Sequence, residues 1–149
     1  MTLYIRILKI LKHYPLSLII IGIILYLSLA NFSGVELTDI TNLDKVAHFC
    51  MYAGFCSVLW FEYHISHKRT NKTRIFWGAI IAPIIFSAAI EVIQATLAEG
   101  RSGDWYDLLF NILGTLFASV LGIFVIRPIA EKYSFKKRAK KENKNSFVG

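Results

Sequence analysis

Glu91-Val-Ile-Gln-Ala-Thr-Leu-Ala-Glu-Gly-Arg-Ser-Gly-Asp-Trp-Tyr-Asp-Leu-Leu-Phe-Asn111 joins two long apolar runs, residues 75–98 and 108–126, through a polar turn. Glu91 and Gln94 lie inside the first run, and Asp107 and Asn111 open the second. A charge at the centre of a bilayer costs about 2.5–3.5 kcal/mol on insertion scales. Such groups are therefore expected to pair with one another and to mark a site. Two further runs, 16–32 and 46–63, are also long enough to cross. A crossing needs roughly 17–25 apolar residues at about 1.5 Å of rise each. The 149 residues are 55% hydrophobic with a mean hydropathy of +0.50, too apolar for a soluble domain of this size. The expectation is an all-α integral membrane four-helix bundle over 16–126. A basic amphipathic segment (1–15) precedes it, and a basic cytoplasmic tail (127–149) follows.

Charge orients the bundle. All of the 17 basic residues except Lys45 and Arg101 fall in the N-terminal segment, the 64–74 turn or the tail. Four crossings put those three segments on one side, and the positive-inside rule makes that side cytoplasmic, N-in and C-in. The other side collects Glu36, Asp39, Asp44, Glu91, Glu99, Asp104 and Asp107. The basic tail fits contact with anionic lipid and gives no reason to invoke nucleic acid. Cys50 and Cys56 are separated by about 9 Å along a helix, too far for a disulfide, and read as small packing residues.

Along the chain, Pro15 suits a helix start. Ser28-Leu-Ala30 resembles a signal-peptide cleavage site, but the run before it is longer than most such segments. Asp44 is expected to cap the next helix. Lys45, His48 and Tyr52 then follow at i, i+3 and i+7 on one face. Lys45 sits at the positive end of a helix dipole and calls for a carboxylate. The blander readings are a lysine reaching the headgroups, a hydrogen-bonded packing histidine and an interface tyrosine. His64 and His67 are read as residues of the cytoplasmic loop. Pro83 is expected to kink the third crossing, whose stripe carries Ser87, Glu91, Gln94 and Ala98. After the glycine-containing turn with Arg101, Asp104, Asp107, Asn111 and Gly114 recur on one face. A capping box accounts for the first two, but not for Asn111. Gly114 and Ala118 form a small-residue contact pair. Antiparallel neighbours would bring Lys45/His48/Tyr52, Glu91/Gln94 and Asp104/Asp107/Asn111 to one level, with Arg101 above.

At these residues the sequence resembles the VanZ-like family of small bacterial membrane proteins. The resemblance rests on Asp44-Lys45-Val46-Ala47-His48-Phe49 with Tyr52, on Glu91-Val-Ile-Gln94, and on Arg101 with Asp104, Asp107, Asn111 and Gly114. It covers about 16–126 and leaves the basic tail outside. Gly103 and Trp105 stand where family members vary. The resemblance implies a four-helix domain in the bacterial cytoplasmic membrane and a cell-envelope context. The founding members are associated with resistance to the glycopeptide antibiotic teicoplanin.

Three functions fit this reading. In the first, the protein binds an envelope lipid, a lipid-linked precursor or a glycopeptide-related ligand. Lys45 and Arg101 meet its anionic group, and His48, Tyr52, Glu91, Gln94, Asp104, Asp107 and Asn111 complete the site. In the second, an intramembrane enzyme uses Glu91 or Asp107 as general base and His48 as its acid–base partner on a lipid-linked substrate. In the third, the polar network only holds helices together or serves a partner subunit. No nucleophile elbow, zinc motif or phosphate loop is present. No cofactor is expected, although His48, Glu91, Asp104 and Asp107 offer oxygen-rich ligands suited to a divalent cation.

Overall fold

The computed structural model describes residues 2–29, 43–67, 70–97 and 104–146, all of whose regular elements are helical. Helices α1 (Thr2–His13) and α2 (Pro15–Leu29) are followed by α3 (Leu43–Ser66). A short α4 (Lys72–Ile75) leads through a π-helical turn, Phe76–Ile81, into α5 (Ala82–Leu97). Then α6 (Trp105–Leu121) runs through a second π-helical turn, Gly122–Ile126, into α7 (Arg127–Ser146). The basic tail thus continues the last helix.

Lys72–Thr96 and Trp105–Lys136 are long and apolar enough to cross a membrane. A third candidate is the pair Ile7–His13 and Pro15–Ser28, which is bent by 94°. The 24-residue α3 is not among them, although it extends for roughly 36 Å. It carries Asp44, Lys45 and Glu62, and it is the central helix, touching α1, α2, α6, α7 and both π-helical turns. Enclosure by its neighbours removes the need for an apolar surface.

The distribution of polarity is inverted relative to a water-soluble fold. Ser17, Glu62, Ser87, Glu91, Asn111, Thr115 and Ser119 are buried, whereas Ile85, Val92, Leu113, Phe117 and Phe124 are exposed. Hydrocarbon around the helices makes the exposed aliphatic surface inexpensive. It also removes the hydrophobic drive for helix association, so close packing and interhelical hydrogen bonds take over.

Both devices act between α3 and α6. Lys45 faces Asp104, His48 faces Asp107 and Cys56 donates to Thr115, each pair separated by the same 59 positions. A constant offset means that the two helices run parallel, although the connection between them passes through α5. A Cβ on Gly114 would fall on the Phe49 carbonyl oxygen and 3.0 Å from the Ala53 nitrogen. Glycine is what lets these two backbones touch.

Each π-helical turn ends two residues before a proline, Pro83 or Pro128. The residue preceding each proline donates five positions back, Ala82 to the Trp77 carbonyl and Arg127 to that of Gly122. Proline supplies no N–H and its ring crowds the previous turn, which widens from four-residue to five-residue closure. The expected kink at Pro83 thus takes the form of a wider turn.

Two sequence expectations need correction. Helix α3 begins at Leu43, so Asp44 lies inside its first turn and is not the cap. His64 is not a loop residue: α3 continues to Ser66, and His64 is buried against Trp60 and Tyr63. His67 does follow the helix, and its ring stacks on Tyr63 at 4.5 Å.

An extensive buried polar contact centres on a residue that no spacing in the sequence marks. Glu62, 2% exposed, accepts from Leu16 N at 2.8 Å, Ser17 N at 3.1 Å and Ser17 Oγ at 2.6 Å. Its carboxylate occupies the N-terminus of α2, where free N–H groups and the helix dipole favour an anion. At its other end α2 is held by Gln94, whose Nε2 donates to the Ser28 carbonyl at 2.7 Å. Both ends of α2 are thus bonded to neighbouring helices, α3 at one end and α5 at the other.

Candidate functional site

The facing stripes of α3 and α6 build a seam in layers. Lys45 Nζ lies 3.2 Å from Asp44 Oδ2 and 3.6 Å from Asp104 Oδ2. The hydrogen bond to Asp44 is the main cause of a raised Lys45 pKa, with the charges of Asp104 and Asp107 adding to it. Burial opposes ionisation of Asp44, but the hydrogen bonds to the Lys45 side chain and backbone outweigh it and hold its carboxyl below the usual value. Lys45 therefore has the carboxylate partners that its place in the first turn requires.

Asp104 also caps α6, its Oδ1 accepting from Tyr106 N at 2.8 Å. That is half of the expected capping box. The Asp107 carboxylate turns towards α3 instead, with Oδ2 at 3.5 Å from His48 Nε2. Both side chains are about one-fifth exposed, 20% for His48 and 18% for Asp107. The seam is thus accessible at this level and closes below it.

In the next layer, Asn111 Nδ2 donates to Ser87 Oγ at 2.7 Å and joins α6 to α5. Tyr52 is 1% exposed, beside Ser87 and within electrostatic range of Glu91. Glu91 is buried at 8% exposure. Deeper still, Thr115 accepts from Cys56 Sγ at 3.6 Å and donates to the Asn111 carbonyl at 2.9 Å. Cys50 and Cys56 are both free thiols.

Of the nine residues singled out as ligand-binding, six fall along this seam, Lys45, His48, Tyr52, Asp104, Asp107 and Asn111, and Glu91 lies on α5 within electrostatic range of Tyr52. Gln94 commits its amide to α2, and Arg101 lies outside the described residues. The carboxylates of Asp44, Asp104 and Asp107 approach within 4.8 Å of one another and have the donor chemistry for a hard cation. The Lys45 ammonium already supplies positive charge there. The proposed metal set of His48, Glu91, Asp104 and Asp107 is not grouped in this way. His48 Nδ1, Asp107 Oδ1 and Asn111 Oδ1 are buried without a hydrogen-bond partner among the described residues. Each is a group whose desolvation costs about 1–3 kcal/mol when uncompensated.

Ion-paired residues above a buried amide–phenol–carboxyl layer have the chemistry to hold a polar group and to exchange protons with it. No curated protein and no solved structure matches the chain. The family model described as VanZ/LLP1 matches residues 6–127, a stretch that contains the whole of α2 to α6 and every residue of the seam. With the Lys45/His48/Tyr52 and Asp104/Asp107/Asn111 stripes gathered on one helical interface, the chain belongs to the VanZ-like family.

Proposed function

We propose that the α3–α6 seam binds the headgroup of an envelope lipid or lipid-linked precursor, or a glycopeptide-related ligand, from the extracytoplasmic side of a bacterial cytoplasmic membrane. In this reading the chain is a four-crossing bundle, N-in and C-in. Helix α3 crosses as the enclosed member, and α1 lies along the inner surface. The positive-inside distribution and the 94° turn between α1 and α2 support that placement. The observation that carries the binding role is the trio of buried atoms His48 Nδ1, Asp107 Oδ1 and Asn111 Oδ1 on two facing helices. A network built only to hold helices together has no use for unmatched polar atoms. A ligand hydroxyl, amide or water-bridged phosphate would satisfy them. Lys45 supplies the charge for an anionic group. The His48–Asp107 pair is also the arrangement a proton-transfer catalyst would use.

The test uses purified protein in lipid nanodiscs supplied with a bacterial envelope-lipid extract, every lipid species being followed by mass spectrometry. The expected result is one lipid class retained unchanged by wild type and depleted in Glu91→Gln. Consumption of a lipid by wild type alone would make the seam catalytic and name the substrate. Neither retention nor conversion would leave the seam as structural glue and contradict the binding role.

A further inference from the structure

A second cluster of chemistry lies at the opposite end of α3, about 33 Å from Lys45 by helical rise. The end of α1, the residue joining α1 to α2, the residue after α3 and α4 enclose an open notch of about 550 Å³. Its lining is Lys9, Ile10, His13, Tyr14, His67 and Arg74, with no carboxylate among them. Four cationic or protonatable side chains thus converge from three separate parts of the chain.

The notch is rigidly built. Ser66 Oγ donates to the His13 carbonyl at 3.2 Å and ties α1 to the end of α3. Tyr63 Oη accepts from Asn71 N at 2.9 Å, and Asn71 Oδ1 accepts from Arg74 N at 3.0 Å, which fixes α4 against α3. The two histidines share one orientation. His13 Nδ1 donates to the Lys9 carbonyl at 2.6 Å and His67 Nδ1 to the Tyr63 carbonyl at 3.0 Å, since a carbonyl can only accept. Both rings therefore keep Nε2 for another partner, and the ring centroids lie 5.9 Å apart. The nearby carboxylate, Glu62, is buried, hydrogen-bonded to Leu16 and Ser17 and outside the lining, although its charge reaches Tyr14.

We propose that this notch is an oxyanion-binding site that takes a phosphate group, presented either by an anionic lipid headgroup or by a soluble phosphate ester. Arg74 provides a planar fork and Lys9 a point charge, the two geometries used for phosphate. The rings of His13 and His67 line the same notch, their Nδ1 atoms held by backbone carbonyls. Helix α1 has exposed Ile7, Leu8 and Leu11 beside Lys9 and stands nearly perpendicular to α2. An amphipathic helix so placed lies in the headgroup plane, which brings lipid phosphates to the mouth of the notch. The site is independent of the seam between α3 and α6.

The test follows thermal unfolding of the full chain in a neutral detergent at fixed ionic strength. Three probes are titrated separately: dihexanoyl phosphatidylglycerol, dihexanoyl phosphatidylcholine and inorganic phosphate. The expected result is saturable stabilisation by the anionic lipid, exceeding that by the zwitterionic one. It weakens roughly tenfold or more in Lys9→Gln/Arg74→Gln, and Lys132→Gln/Lys136→Gln on α7 leaves it intact. Both notch side chains are exposed, so the double variant keeps its core, and Arg74→Gln is read alongside it. Equal stabilisation by inorganic phosphate would support the site and assign it to free phosphate. Stabilisation that survives Lys9→Gln/Arg74→Gln, or that does not exceed the phosphatidylcholine effect with any anion, would overturn the proposal.

Discussion

Glu62→Ala is expected to lower the thermal unfolding temperature by roughly 10 °C, from a loss of about 3–5 kcal/mol. The carboxylate receives three hydrogen bonds from Leu16 and Ser17 in a site only 2% exposed. Hydrogen bonds to a charged group contribute about 1.5–3 kcal/mol each, though not additively. Alanine removes them and strands two backbone N–H groups and a hydroxyl at the buried N-terminus of α2. Glu62→Gln keeps an acceptor oxygen but turns an NH₂ towards those donors, so it should fall between wild type and alanine. Unfolding in detergent, followed by circular dichroism, checks the order. An alanine variant within about 2 °C of wild type would show that α2 is held by other means.

Gly114→Ala is expected to be costly for a different reason. The new Cβ would meet the Phe49 carbonyl and the Ala53 nitrogen, which are backbone atoms and cannot rotate away. Helices α3 and α6 must separate, at about 1–3 kcal/mol for forced overpacking. The same separation would pull Lys45 from Asp104 and His48 from Asp107, so ligand retention should fall together with stability. Gly54→Ala is the internal control. A Cβ there meets nothing within 4 Å, and alanine is the better helix former. Unfolding temperatures of the two variants, measured together, should move in opposite directions or leave Gly54→Ala unchanged. Equal losses would remove the close-contact explanation.

The contrast between Glu62 and Glu91 shows what a single sequence reveals. Both are lone carboxyls in apolar runs, and the cost of burying charge applies to both. Glu91 drew attention because Gln94 and the acidic turn stood nearby. Glu62 sits near the end of α3, where its partners are 45 and 46 positions away in sequence and include backbone amides. Backbone donors leave no trace in side-chain identity. Helical spacing identified the two stripes, Lys45/His48/Tyr52 and Asp104/Asp107/Asn111, because periodicity fixes a face. It does not fix which helix the face meets. Antiparallel neighbours were the natural expectation for short connections, whereas the principal pairing is between parallel α3 and α6. Gly114 carried the clue, since a glycine on a polar stripe marks the place where another backbone comes close. His64 reads as a loop residue because histidine near a basic turn matches loop composition, while its burial depends on Trp60 and Tyr63 packing around it. The five-residue closures before Pro83 and Pro128 could have been anticipated from proline chemistry, but their exact form depends on how the helix relaxes around each ring.

The central claim is that the α3–α6 seam serves a ligand, and Asp107→Asn tests it most directly. The substitution keeps the shape of the side chain and leaves the Asp104 cap in place, while removing the charge opposite His48. Lipid retained through purification is quantified by mass spectrometry beside the unfolding temperature of the same sample. Retained lipid should fall at least roughly tenfold, the worth of one charge-assisted contact, with little change in unfolding temperature. Full lipid retention with a lower unfolding temperature would contradict the claim and make the seam a structural network.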